Sequence, residues 1–282
     1  MQKSMVEGNT LKLILNFSIP LLLGNLFQQF YNVVDAAIVG QTLGSKALAA
    51  VGASSSVQFL ILGFCMGICQ GFAIMVSQSY GAKRLDEMQT YIYAGAIWTA
   101  ITALVISILV VVFCTDILHI LQVNDEIFND AYAYLVVIFA GIPFTLLYNY
   151  LSAILRAIGD SKTPFLANLI GLVTNMILDP VLILGPGPFP KLGVTGAAIA
   201  TVTAQFIVMS IMIICVIKQK KENVLKGTHL LAKIPMPYLN GICRIGIPTA
   251  IQGMAYCIIS MVLTRMVSAF GAEAVATQRV RG

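Results

Sequence analysis

Apolar runs long enough to cross a lipid bilayer recur along this chain from end to end. They fall near residues 13–38, 48–77, 89–113, 131–155, 165–184, 194–217 and 245–269, and about 20 such residues suffice for one helical crossing. A helix closes its own backbone hydrogen bonds, so hydrocarbon tolerates it. Composition agrees. Of 282 residues, 58% are hydrophobic and only 10% charged, with a mean hydropathy of +0.88, whereas soluble domains carry about 25% charged residues. The sequence therefore predicts an all-α polytopic membrane protein of seven transmembrane helices, with the lipid bilayer as its main environment. No cleavable signal peptide is visible, because Lys3 and Lys12 flank a long first run with no small-residue cleavage site after it.

The connectors between runs alternate in charge. Basic residues cluster at the N-terminus (Lys3, Lys12), after the second run (Lys83, Arg84), after the fourth (Arg156, Lys162) and after the sixth (Lys218, Lys220, Lys221, Lys226, Lys233, Arg244). The other connectors hold only Lys46 and Lys191, and the one between runs three and four is acidic (Asp116, Asp125, Glu126). The positive-inside rule then places the N-terminus in the cytoplasm. The basic stretch after the sixth run reads as a solvated cytoplasmic loop obeying that rule, not as a nucleic-acid patch.

An internal repeat divides the chain. The first run opens on Ile19-Pro20 and leads to Gly44-x-x-Ala47-x-Ala49; the seventh opens on Ile247-Pro248 and leads to Gly271-x-x-Ala274-x-Ala276. That offset is one six-helix unit, as in transporters built from two parallel halves. Residues 1–217 are expected to form a six-helix lobe, 218–244 a basic cytoplasmic linker, and 245–282 the first helix of an incomplete second lobe. The whole would be half of a pseudo-symmetric twelve-helix transporter.

Only two acids lie deep within these runs, Asp35 and Asp179. A carboxylate at mid-membrane costs about 2.5–3.5 kcal/mol on insertion scales, so it persists where it has partners, water or a task. Asn25, Gln28, Asn32 and Asp35 step by three or four residues and share one helix face. Asn175 and Asp179 are i,i+4 neighbours, and Pro180 deprives the Met176 carbonyl of its helical donor. Both acids sit near the expected outer ends of their helices, facing a shared cavity. Tyr31, Tyr148, Asn149, Ser152, Thr201, Thr203 and Gln205 are further polar groups able to line it. Two carboxyl groups in a poorly hydrated site make a proton carrier, and the same oxygens suit Na+ as the alternative. Cys65 and Cys69 are one turn apart, but with no His nearby they read as packing residues.

Several segments resemble the multidrug and toxic compound extrusion (MATE) family. They are NVVDAAIVG (32–40), VSQSYGAKRLDEM (76–88), LRAIGDSKTPF (155–165), TNMILDP (174–180) and GVTGAAIAT (193–201). The resemblance covers the whole chain and implies a twelve-helix exporter of two six-helix lobes driven by H+ or Na+. By it, Asp35 and Asp179 would bind the coupling ion, with Asn175 and Thr201 as partners. Tyr31, Asn32, Gln28 and Asn149 would line the substrate cavity. No acid lies between Pro248 and Ser268, which favours coupling in the first lobe. The resemblance implies five further second-lobe helices beyond the runs read here.

The expected function is a cation-coupled antiporter exporting amphipathic or cationic small molecules across the plasma membrane, with no cofactor beyond its coupling ion and a second lobe as partner. A flippase for lipid-linked saccharides is the alternative, although the six runs of this lobe carry no buried Lys or Arg. Intramembrane aspartyl proteases also use two acids. Those enzymes resemble one another through Tyr-Asp and Gly-x-Gly-Asp, whereas the acids here sit in Val-Val-Asp and Ile-Leu-Asp-Pro. No phosphate loop, metal-ligand cluster or nucleophile triad points to an enzyme or to ATP-driven transport.

Overall fold

A computed structural model describes residues 10–121, 123–185, 190–218 and 236–268. Among these, all regular structure is helical: α1 (Thr10–Gly81), α2 (Leu85–Val112), α3 (Cys114–Ile120), α4 (Asp125–Ala140), α5 (Ile142–Ala157), α6 (Lys162–Leu184), α7 (Val194–Lys218) and α8 (Met236–Ser268). Gly44 breaks α1 into two arms because its φ of 85° and ψ of −177° lie where only glycine sits comfortably. The arms, Leu11–Gly44 and Lys46–Gly81, together with α2, α6 and α7, are long and apolar enough to cross a membrane. The α4–α5 pair makes a sixth crossing if counted as one bent span. Helix α8 falls outside that set, although its 33 residues reach about 50 Å at 1.5 Å per residue.

Most expected runs thus appear as helices, with two differences. The fourth is not one rod: its halves meet at Gly141 with a bend of 46°. Pro143 lacks an N–H, so Phe139 O loses its helical donor and accepts instead from Ser107 Oγ at 2.7 Å. Helix α8 also begins at Met236, inside the stretch read as linker. The rest of that linker (219–235), and Gly271, Ala274 and Ala276 of the repeat, lie outside the described residues.

Two quoted motifs are turns between crossings. In the first, Ala82 N bonds to Gln78 O and Arg84 N to Ser79 O, both at 3.0 Å, with Lys83 left-handed at φ 59°. In the second, Asp160 caps the start of α6. Its carboxylate accepts from Lys162 N (3.1 Å), Thr163 N (3.0 Å) and Thr163 Oγ1 (2.6 Å), satisfying donors that a helix start leaves open. At the other end of the bundle, Lys46 and Glu126 pair at 2.7 Å. Exposed as it is, that pair contributes at most about 1 kcal/mol, but it joins two connectors that the charge pattern puts on one side.

The core lies between the second arm of α1 and helices α2, α4, α5 and α7, around Phe139, Leu135, Leu146, Tyr150 and Met212. Polar cross-links are few and paired, as an apolar solvent demands. Tyr150 Oη donates to Ile92 O at 2.6 Å, and Ser107 Oγ to Phe139 O at 2.7 Å. Cys65 and Cys69 are buried in this core, and Cys69 Sγ approaches Leu146 O at 3.8 Å. The first arm of α1 sits differently. It leans on α6, where Phe27 and Phe165 meet at 6.3 Å between ring centroids, and leaves Leu22, Leu26, Phe30 and Val33 exposed.

Candidate functional site

The two membrane acids meet. Asp35 on the first arm of α1 and Asp179 on α6 lie within hydrogen-bonding reach of one another. Asp179 is fully buried, and among the described residues no donor reaches the buried Asp35 Oδ1. Two carboxylates this close repel strongly in a medium of low polarity. A shared proton or a bound monovalent cation removes that repulsion and supplies what the orphaned oxygen lacks. Either ion fits the donor set on chemical grounds.

Asn175 is the hub of the surrounding network. As placed, its Nδ2 is 3.4 Å from Asp179 Oδ1 and 3.3 Å from Thr201 Oγ1. Turning the amide over gives a better set, and we prefer it. Nδ2 then donates to Tyr31 Oη at 2.6 Å and Asp179 Oδ2 at 2.8 Å, while Oδ1 accepts from Thr201 N at 3.0 Å. Thr201 Oγ1 donates to Ala197 O at 3.0 Å, and the Thr201 and Tyr31 side chains also hydrogen-bond. Three helices, α1, α6 and α7, therefore converge on one amide.

A cavity of about 90 Å³ opens beside this network. Its polar lining comes from Gln28, Tyr31, Tyr148, Asn168, Asn175, Thr201 and Gln205, and its apolar wall from Gly171, Leu172, Ala204 and Val208. Gln28 and Tyr31 both line this cavity. Asn32 is elsewhere: it is exposed, and its Nδ2 donates to Gln29 Oε1 at 3.1 Å. Asn149 is buried, donates to Thr145 O at 2.8 Å in its own helix, and does not line this cavity. Arg156, half-buried in the last turn of α5, does not line it either.

Sequence reasoning missed two residues here. Asn168 lies seven residues before Asn175, and extending the Asn175–Asp179 stripe backwards would have found it. Tyr134 on α4 is 7% exposed and close enough to interact electrostatically with both acids. Its segment, AYAYLVVIF, carries no signal that separates it from an ordinary buried aromatic.

The family profile described as MatE matches residues 20–181, which include both acids and Asn175. The chain belongs to the MatE family. Among curated relatives, the probable multidrug resistance protein YoeA of Bacillus subtilis (strain 168) is 31% identical, over 94% of this chain and 57% of that protein. YpnP of the same organism, also a probable multidrug resistance protein, is 30% identical over 94% of this chain and 58% of its own length. Among solved structures, an outward-facing multidrug resistance MATE family transporter of the MOP superfamily superposes with a TM-score of 0.85. It is 25% identical, and the match covers 97% of this chain and 60% of that one. This MatE chain therefore spans a little over half the length of the relatives it matches.

Proposed function

We propose that this MatE chain is the ion-coupling part of a secondary antiporter in the plasma membrane, with its N-terminus in the cytoplasm. H+ or Na+ entering would drive amphipathic or cationic small molecules outward. The observation that carries this reading is the contact between Asp35 and Asp179, tied by Asn175 to Tyr31 and Thr201 at the edge of a polar cavity. Buried acids in a membrane bundle mark ion pathways far more often than they serve packing. The multidrug descriptions of YoeA and YpnP support the substrate class.

The coupling follows from the network. An ion arriving from outside neutralises the carboxyl pair, which changes what Asp179 can accept from Asn175. The Asn175 amide then shifts its bonds with Tyr31 and Thr201, and the first arm of α1 responds. That arm has little burial to hold it, and Pro20 leaves the Asn16 carbonyl without its helical donor. Movement of Tyr31 and Gln28 narrows the cavity and expels its occupant. Alternating access arises as this lobe rocks against a second lobe that supplies the opposite wall. In the full-length transporter, Asp35→Asn and Asp179→Asn should each abolish dye efflux while leaving expression and folding intact. Normal efflux by both variants sinks the proposal.

A further inference from the structure

Helix α5 carries a polar file toward its C-terminal end, the end that the charge pattern puts in the cytoplasm. Tyr148, Ser152 and Arg156 recur every four residues and share one face, each about 6 Å further along the helix than the last. Tyr148 lines the cavity. Ser152 is 2% exposed, and its Oγ has no hydrogen-bond partner among the described residues. Arg156 is half-buried, whereas Lys83, Arg84 and Lys162 at the same end of the bundle are exposed. Among the described residues its guanidinium makes no hydrogen bond and no ion pair. Asp160, the nearest acid in sequence, accepts from Lys162 N and from both Thr163 donors at the start of α6.

A buried hydroxyl without a partner and a half-buried guanidinium without an acceptor are each uncommon, because leaving either unmatched costs free energy. Here they stand one turn apart on one face. Helical side chains lean toward the N-terminus of their helix. The Arg156 guanidinium stays within electrostatic reach of Tyr148 and of Cys69, which is buried in the second arm of α1. An arginine serving only to reach water would extend past the end of α5 instead. Its fork of N–H donors matches the two oxygens of a carboxylate, and the Ser152 hydroxyl adds a further donor. We propose that Arg156 and Ser152 form an oxyanion subsite below the cavity, which takes the carboxylate of an amphipathic substrate arriving from the cytoplasm. The cavity itself is lined by apolar and neutral polar groups, so it holds the body of a substrate without selecting its charge. The subsite supplies that selection. The inference rests on the antiporter reading and adds to its substrate class a preference for compounds that bear a carboxylate.

Rhodamine B and its ethyl ester make the test, since they differ by one carboxylate. Binding of each is read by fluorescence anisotropy on the full-length transporter in phosphatidylcholine nanodiscs. Arg156→Gln should weaken rhodamine B at least tenfold and leave the ester within twofold. Arg156→Lys keeps the charge but loses the fork, so it should recover part of that loss. Ser152→Ala should weaken rhodamine B several-fold and again spare the ester. Rhodamine B bound no better by wild type than by Arg156→Gln overturns the subsite. An equal loss of both dyes in every variant also overturns it, and marks the two residues as packing groups. Should Arg156→Gln fail to fold, Arg156→Lys and Ser152→Ala decide by the same difference between the dyes. Phosphatidylglycerol added to the nanodisc, or inorganic phosphate added to the buffer, should weaken rhodamine B by less than twofold. Loss with the lipid would give the site to a headgroup, loss with phosphate to a free anion, and either overturns the substrate assignment. None of these results touches the ion site, on which efflux of the ester by Asp35→Asn and Asp179→Asn reports separately.

Discussion

Replacing Asn175 by alanine separates a network built around one amide from a polar stripe that merely tolerates water. In the preferred orientation Asn175 makes contacts of 2.6, 2.8 and 3.0 Å to Tyr31, Asp179 and Thr201. A hydrogen bond to an ionised group is worth about 1.5–3 kcal/mol and a neutral one about 1 kcal/mol. The cavity lets water replace part of what is lost. A net loss of about 2–3 kcal/mol corresponds to roughly 30- to 150-fold in the population of the arranged ion site, at 1.4 kcal/mol per tenfold. Asn32→Ala is the control, since that side chain is exposed and makes one 3.1 Å bond to Gln29, three residues away. The assay is dye efflux from cells expressing the full-length transporter, normalised to folded protein by size-exclusion profile. Asn175→Ala should lower efflux more than tenfold, and Asn32→Ala should stay within twofold of wild type. Equal losses in the two variants would refute the assignment of the network and favour the simple stripe.

Two further expectations follow from the fold. Asp160→Ala removes three hydrogen bonds at the start of α6, so thermal unfolding in detergent should show a loss of about 1–2 kcal/mol without a change in substrate preference. At the bend between α4 and α5, a Cβ on Gly141 would meet Val202 Cγ2 at 2.5 Å. Valine cannot swing away as a long side chain does, so Gly141→Ala should cost about 1–3 kcal/mol. The companion change Val202→Ala should restore most of it, and no rescue would show that the clash is not the cause.

The sequence already contained the larger part of this picture, and the reasons are physical. Spanning helices were legible because the bilayer imposes a length and an apolar composition that few other structures share. Asp35 and Asp179 stood out because carboxylates are rare there, and Asn175 lies between Asp179 and Thr201. What failed to show was direction within a helix. A stripe at spacings of three and four is about 100° wide, so Gln28, Asn32 and Asp35 share it although only Gln28 and Tyr31 turn to the cavity. Asn149 looked like a lining residue because polarity in an apolar run is conspicuous, yet its amide serves its own helix. The bend at Gly141 was hidden in an apolar run whose total length looked right for one rod. Tyr134 reaches the acids only through the way α4 packs, which local pattern does not encode.

The most direct measurement is ion movement through the complete transporter. Purified full-length protein would be reconstituted in liposomes under an imposed inward H+ gradient, then separately under an inward Na+ gradient, with a lipophilic cationic dye as substrate. One of the two gradients should drive dye against its concentration, the dye should in turn move the ion, and Asp179→Asn should abolish both movements while retaining a folded profile. Dye movement that ignores both gradients, or that persists in Asp179→Asn, would contradict the account.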